Sequence, residues 1–106
     1  MAIRYYRALM SLEPDGSCGV VFPELPGCVS HGNDLNDALR MVTEALGMHI
    51  TAMIEDGDAV PPALPVDAPL PEWMVETADD HSIDWSGDVR VLVPVDAPSS
   101  VSVKAA

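Results

Sequence analysis

Hydrophobic and polar positions alternate from the first residues of the chain. In IRYYRALMSL, residues 3–12, Tyr6, Ala8, Met10 and Leu12 fall on one side of an extended chain, while Ile3, Tyr5 and Leu9 fall on the other, interrupted by Arg7. A period of two predicts a β-strand. A strand apolar on both faces belongs in the middle of a sheet covered on both sides, or at an interface between chains. Glu13-Pro14-Asp15-Gly16 is turn chemistry, with proline presetting φ and glycine accepting a left-handed position. Cys18 to Phe22 then returns as a second strand, completing a hairpin. Pro23 and Pro26 have no backbone N–H to donate, so they end sheet pairing there. Cys28 to His31 has room for a short third strand, and Gly32-Asn33 turns the chain again.

From Leu35 to about Ile54 the period becomes helical. At about 100° per residue, Leu35, Leu39, Val42, Leu46, Ile50 and Met53 share one stripe. Met41, Ala45, Met48 and Ala52 form a second stripe beside it. The apolar arc covers about half the circumference, wider than one sheet face usually demands. The second stripe is either ordinary core or a surface kept for another copy of the chain, with Met41 and Met48 as its contacts. Asp34 suits the N-cap and Asp37 the first turn. His49, between the stripes, reads as a hydrogen-bonded histidine at the core margin.

After Glu55-Asp56-Gly57-Asp58 the pattern breaks. Pro61, Pro62, Pro65, Pro69 and Pro71 predict an extended path. Every charged residue from Glu55 to Asp88 is acidic, and Trp73 and Trp85 lie within that stretch. The sequence thus predicts a long acidic, proline-rich loop over about 56–88. Val89 to Val95 forms a last strand, which Pro94 marks as an edge or as ending there. Residues 96–106 follow as a tail.

The 106 residues, 48% of them hydrophobic, suffice for one domain with its own core. Seventeen acidic residues against five basic ones give a formal charge of −12. Such a surface repels nucleic acid phosphates and anionic membranes and suits a basic partner. No apolar run approaches the roughly 20 residues of a membrane span. The N-terminus lacks the layout of a secretion signal, so the expected compartment is the cytoplasm. Cys18 and Cys28 read as two small semi-buried thiols. The alternatives, a bridge between them or a metal site with His31 or His49, lack a supporting pattern. Asp79-Asp80-His81 and Asp84 offer at most weak cation binding.

A tyrosine-bearing first strand, the stretch VVFPELPGCVSHGNDLNDAL and a helix ending in EDGDAVPP resemble the HicB antitoxin family. The family motif is F-P-[DE]-[LF]-P-G-C, a few residues, then G-[DN]-[DST]-x-x-[ED]-A opening a helix. Phe22, Pro23, Glu24, Leu25, Pro26, Gly27, Cys28, Gly32, Asp37 and Ala38 match it. The resemblance covers residues 3 to about 62, and Val89 to Val95 by position. It implies an α+β domain over residues 1–95 with a partial ribonuclease H-like fold. That fold comprises an antiparallel β-meander, one long helix and a last strand beside the first, in the order β-β-β-α-β. The last strand is expected to run parallel to the first, reached through a crossover of helix and acidic loop.

The same resemblance implies a function. HicB proteins neutralise HicA toxins, small basic ribonucleases, and an acidic chain suits the covering of a basic RNA-cleaving surface. The expected toxin-binding residues are Glu55, Asp56, Asp58, Glu72, Trp73, Asp79, Asp80 and Trp85, with the tryptophans as anchors. A homodimer or higher oligomer is expected, and no cofactor or metal is implied. Family members usually carry a C-terminal DNA-binding segment for autorepression. Residues 96–106 are too few for one, so operator binding is expected only through a longer parent protein. The alternative is a stand-alone oligomeric HicB-like binding domain without a toxin. An enzyme is not expected. Ribonuclease H chemistry needs carboxylates converging from strands on two metal ions. The first strand offers none at its middle and the second none at all. No serine or cysteine sits in a nucleophile turn.

Overall fold

A computed structural model describes residues 2–81, 85 and 88–97. The elements are β1 (Ala2–Leu12), β2 (Cys18–Val21), β3 (Val29–Gly32), α1 (Leu35–Glu55), α2 (Glu72–His81) and β4 (Val89–Ala97). They build one four-stranded sheet in the order β3-β2-β1-β4. This is the expected α+β class, with a meander, one long helix and a last strand beside the first.

The direction of β4 differs from the expectation. It runs antiparallel to β1, pairing Met10 with Val89 and Ala2 with Ala97. The reason lies in the path between α1 and β4. Tyr6 donates to the Pro61 carbonyl at 2.6 Å, Arg7 binds the carbonyls of Ala68 and Pro69, and Ser11 donates to Asp88 at 2.9 Å. The connecting chain therefore advances along β1 to its far end, and β4 can only come back the other way.

Strand alternation gives the sheet two different faces. Tyr6, Ala8 and Met10 of β1, Cys18 and Val20 of β2, and Val93 and Val95 of β4 pack against Ala38, Val42, Leu46 and Ile50 of α1. The helix stripe is displaced from the one the periodicity suggested: Leu35 and Leu39 are exposed, and Ala38 takes the buried position nearest the start. Close approach explains the shift. A Cβ on Gly32 would lie 2.2 Å from the Ala38 backbone nitrogen, so the first turn of α1 rests directly on the end of β3. A large side chain at 38 would push the two apart.

The helix ends are specified locally. The Asp34 side chain accepts from the Asp37 N–H at 2.8 Å, and the Asp37 carboxylate accepts from the Asn33 N–H at 2.9 Å. This reciprocal arrangement satisfies donors that the first turn leaves free. The Asn33 N–H bond, with Arg40 behind it, holds the Asp37 carboxyl below the usual carboxylate range. Its stabilising effect is therefore complete above the ordinary carboxylate pKa and is lost as pH falls through the depressed one. Asp34→Ala should cost about 1 kcal/mol in urea unfolding at neutral pH. At the other end, Gly57 at φ 74° closes a Schellman turn, with the Asp58 N–H on the Met53 carbonyl and the Gly57 N–H on that of Ile54.

The second face is covered by the segment read as an acidic loop. Residues 61–71 form a strap with one hydrogen-bonded turn, from Pro65 to Ala68, and residues 72–81 are helical. Pro71 opens α2, accepting from the N–H groups of Met74 and Val75. Strap and helix bury Met74, together with Leu9 and Arg7 of β1. Cover for both faces of β1 thus comes largely from within the chain. Ile3, Tyr5 and Leu92 stay exposed on the second face beyond the strap.

Candidate functional site

The two prolines of the motif sit at equivalent positions of two successive turns. The Leu25 N–H bonds the Phe22 carbonyl at 3.1 Å, and the Cys28 N–H bonds the Leu25 carbonyl at 2.9 Å. Each turn has proline second, where its fixed φ is favourable. In the next turn Gly27 follows Pro26 at φ 89°, the left-handed third position of a type II turn. The double turn drives Phe22, Leu25 and Cys28 into the core on the α1 side. Burial pushes the Cys28 thiol up to about 11, so at neutral pH it is a packing group. Cys18 and Cys28 are both free.

Glu24 points to the other face and meets Arg7. Arg7 Nε and Nη2 lie 3.0 and 2.8 Å from the two carboxylate oxygens, and both side chains are almost fully buried. The same guanidinium donates to the carbonyls of Ala68 and Pro69. Trp73 Nε1 donates to the Pro23 carbonyl at 2.8 Å. The motif is thus a knot: one turn residue enters the core, the next neutralises a strand arginine, and that arginine fastens the strap. Arg7, which looked like a break in an apolar face, is its most connected residue.

The residues expected to bind a toxin divide between two regions. Glu55, Asp56 and Asp58 are exposed around the C-terminal end of α1. Glu72, Asp79 and Asp80 are exposed on α2, across the sheet. Trp73 and Trp85 are half-buried and spend their N–H groups internally, on the carbonyls of Pro23 and Met74. Asp84 and residues 98–106 lie outside the described residues, as does the side chain of His81. Among the described residues no cluster of three His, Cys, Asp or Glu side chains is placed to hold a metal ion.

The outer side of α1 carries a feature the sequence showed only in part. Met48 is 74% exposed and stands between two clefts. One, of about 480 Å³, runs along the helix between Glu44 and Glu55 over Gly47 and Ala52. The other, of about 350 Å³, lies between Ala45 and His49 of the helix and Gly27 to Val29 of the double turn. The second stripe placed Met48, but the motif loop as the opposite wall comes from tertiary packing.

Sheet, knot and helices make an α+β domain, with α1 on one face of the sheet and strap and α2 on the other. Residues 6–105 match the family model described as HicB_like antitoxin of bacterial toxin-antitoxin system, and the chain belongs to that family. It is 38% identical over 83 residues to a 14.9 kDa protein of the rep-hol intergenic region of Haemophilus phage HP1, covering 71% of this chain and 62% of that one. The crystal structure of the Burkholderia pseudomallei antitoxin HicB superposes with a TM-score of 0.64 at 26% identity, over 88% of this chain and 64% of that one. A toxin-antitoxin complex from Streptococcus pneumoniae contains a chain with the same fold, with a TM-score of 0.72 at 21% identity over 92% of this chain and 75% of that one. The chain thus spans less than two thirds of the length of the phage protein and of the Burkholderia HicB. The family is one of antitoxins, not enzymes. No helix among the described residues is long and apolar enough to cross a membrane.

Proposed function

We propose that this domain neutralises a small basic ribonuclease of the HicA type by binding it through an acidic surface. The observation that carries the reading is the distribution of charge. The chain has a net charge of −12, and its carboxylates at the end of α1 and along α2 are exposed, with Glu24 as the buried exception. Complementary charge steers a cationic partner into place and weakens with salt. Membership of an antitoxin family supports the same reading.

Operator binding, in this reading, belongs to residues of a longer protein. Arg7 is locked against Glu24, Arg40 is paired with Asp37 and Glu44, and Arg90 donates to the Val66 carbonyl. Those cations are engaged within the chain, whereas DNA affinity rests largely on cations free to meet phosphates.

The test is RNA cleavage by the HicA-type ribonuclease that this reading assigns as partner, with and without excess of this domain. Inhibition should be stoichiometric at low salt and form more slowly as salt rises. A toxin that stays fully active under excess domain would refute the proposal.

A further inference from the structure

We infer that the docking surface for the basic partner is the cleft around Met48 on the outer side of α1, not the acidic helix α2. This rests on the antitoxin reading and makes it specific. Acidic residues occur on both faces, and α1 and α2 lie across the sheet from each other, so one partner of ordinary size cannot cover both.

Three observations favour the α1 side. The first is shape. The smaller cleft is an open recess between helix and double turn, and the larger is a shallow groove along the helix alone. With Met48 between them they form an apolar strip on which a partner's apolar side chain can rest. Buried anchors of that kind carry most of the energy of a protein interface.

The second is charge placement. Glu44 and Glu55 line the larger cleft, and Asp56 and Asp58 follow at its end. The last turn of α1 holds no basic residue, although that is where the helix dipole favours cations. Carboxylates there face the negative end of the helix. A lysine or arginine from a partner relieves both at once. Arg40 already occupies one side of Glu44, at 3.4 Å, and leaves Glu55, Asp56 and Asp58 free of ion pairs with any described residue.

The third is what α2 already does. It buries Met74 and carries Trp73, whose N–H bonds the Pro23 carbonyl, while its own Met74 carbonyl receives the N–H of Trp85. Its apolar side is a cover for β1 and its aromatic groups are spent on the fold. A second copy of this chain fits the Met48 cleft poorly, because pairing two such faces brings Glu44, Glu55, Asp56 and Asp58 against their own kind.

The experiment compares inhibition of the HicA-type ribonuclease that this reading assigns as partner by two sets of exposed variants, each checked for folding by circular dichroism. One set is Met48→Arg and the pair Glu55→Lys with Asp56→Lys. The other is the triple variant Glu72→Lys, Asp79→Lys and Asp80→Lys on α2. The α1 variants should raise the concentration for half inhibition by at least about 30-fold. The α2 variant should stay within about threefold of wild type, well below that hot-spot threshold. The α2 variant reverses more charges, so an effect of net charge alone would be larger there and would overturn the inference. Inhibition that survives the α1 substitutions overturns the surface while leaving the antitoxin reading intact. If the wild-type domain does not inhibit, the antitoxin reading falls and the inference with it. If Met48→Arg dissociates an assembly of wild-type chains while inhibition is unchanged, the cleft is a contact between copies and the inference is overturned.

Discussion

Glu24→Ala should destabilise the domain by about 3–5 kcal/mol, a large part of the roughly 5–15 kcal/mol that holds a domain of this size together. The substitution removes one partner of a buried pair and strands the Arg7 guanidinium, 1% exposed, with only two carbonyls for company. An uncompensated buried cation costs far more than the pair itself contributes. The comparison that isolates this cause is the double variant Arg7→Met with Glu24→Leu, which removes both charges and keeps apolar bulk. It should recover much of the loss in urea unfolding. If the single and double variants are equally unstable, the carbonyls of Ala68 and Pro69, not the carboxylate, dominate the site. Because the strap hangs from the same guanidinium, hydrogen exchange at the Ala68 amide, which bonds the Pro65 carbonyl, should accelerate in Glu24→Ala before exchange in α1 does.

Gly32→Ala should be comparably damaging although it adds a single methyl group. The new Cβ would sit 2.2 Å from the Ala38 nitrogen and 2.4 Å from its Cα. These are backbone atoms, so no rotamer change gives way. Either α1 lifts from the sheet or β3 loses its pairing with β2. A cost at or above about 3 kcal/mol, the upper end for overpacking, follows. Gly47→Ala serves as the control. Nothing lies within 4 Å of a Cβ there, and removing a mid-helix glycine should stabilise by several tenths of a kcal/mol. If thermal unfolding shows Gly32→Ala to be as stable as wild type, the close approach of α1 to β3 is not a constraint.

The parts of this fold written in local chemistry were legible. The two-residue alternation of β1, the Glu13–Gly16 turn, the Asp34 cap and the paired apolar stripes each act over a few residues, and each predicted its element. The meander and the place of β4 beside β1 followed. The motif was recognisable as a pattern, but its mechanics were not. That Glu24 neutralises Arg7, and that Gly32 exists for Ala38, depends on chain segments meeting across the sheet.

What the sequence left unread has more than one cause. The strap bonds to β1 across sequence separations of 55 to 62 residues, and such contacts leave no periodic trace. α2 was hidden by composition. It is short and acid-rich, with Met74 its one buried apolar side chain. A proline just before an acidic first turn was a start signal available to be read. Arg7 reads from the sequence only as an interruption of an apolar face, because its partners Glu24, Ala68 and Pro69 are brought to it by the fold. The residues expected to bind a toxin are close in charge and sequence, and the fold places them in two regions, at the end of α1 and on α2.

The pairing of β4 with β1 also sets the order in which this protein can be completed. The outer edge of the first strand is closed only by the last, through contacts that join Ala2 to Ala97. On a translating ribosome the hairpin and α1 can form early, but Arg7 emerges long before Ala68, and β1 waits for β4 with a bare edge. At roughly 5–20 residues per second, the interval between finishing one strand and the other is on the order of 4 to 17 s. Each nascent copy therefore passes through a window in which it is partly folded and adhesive.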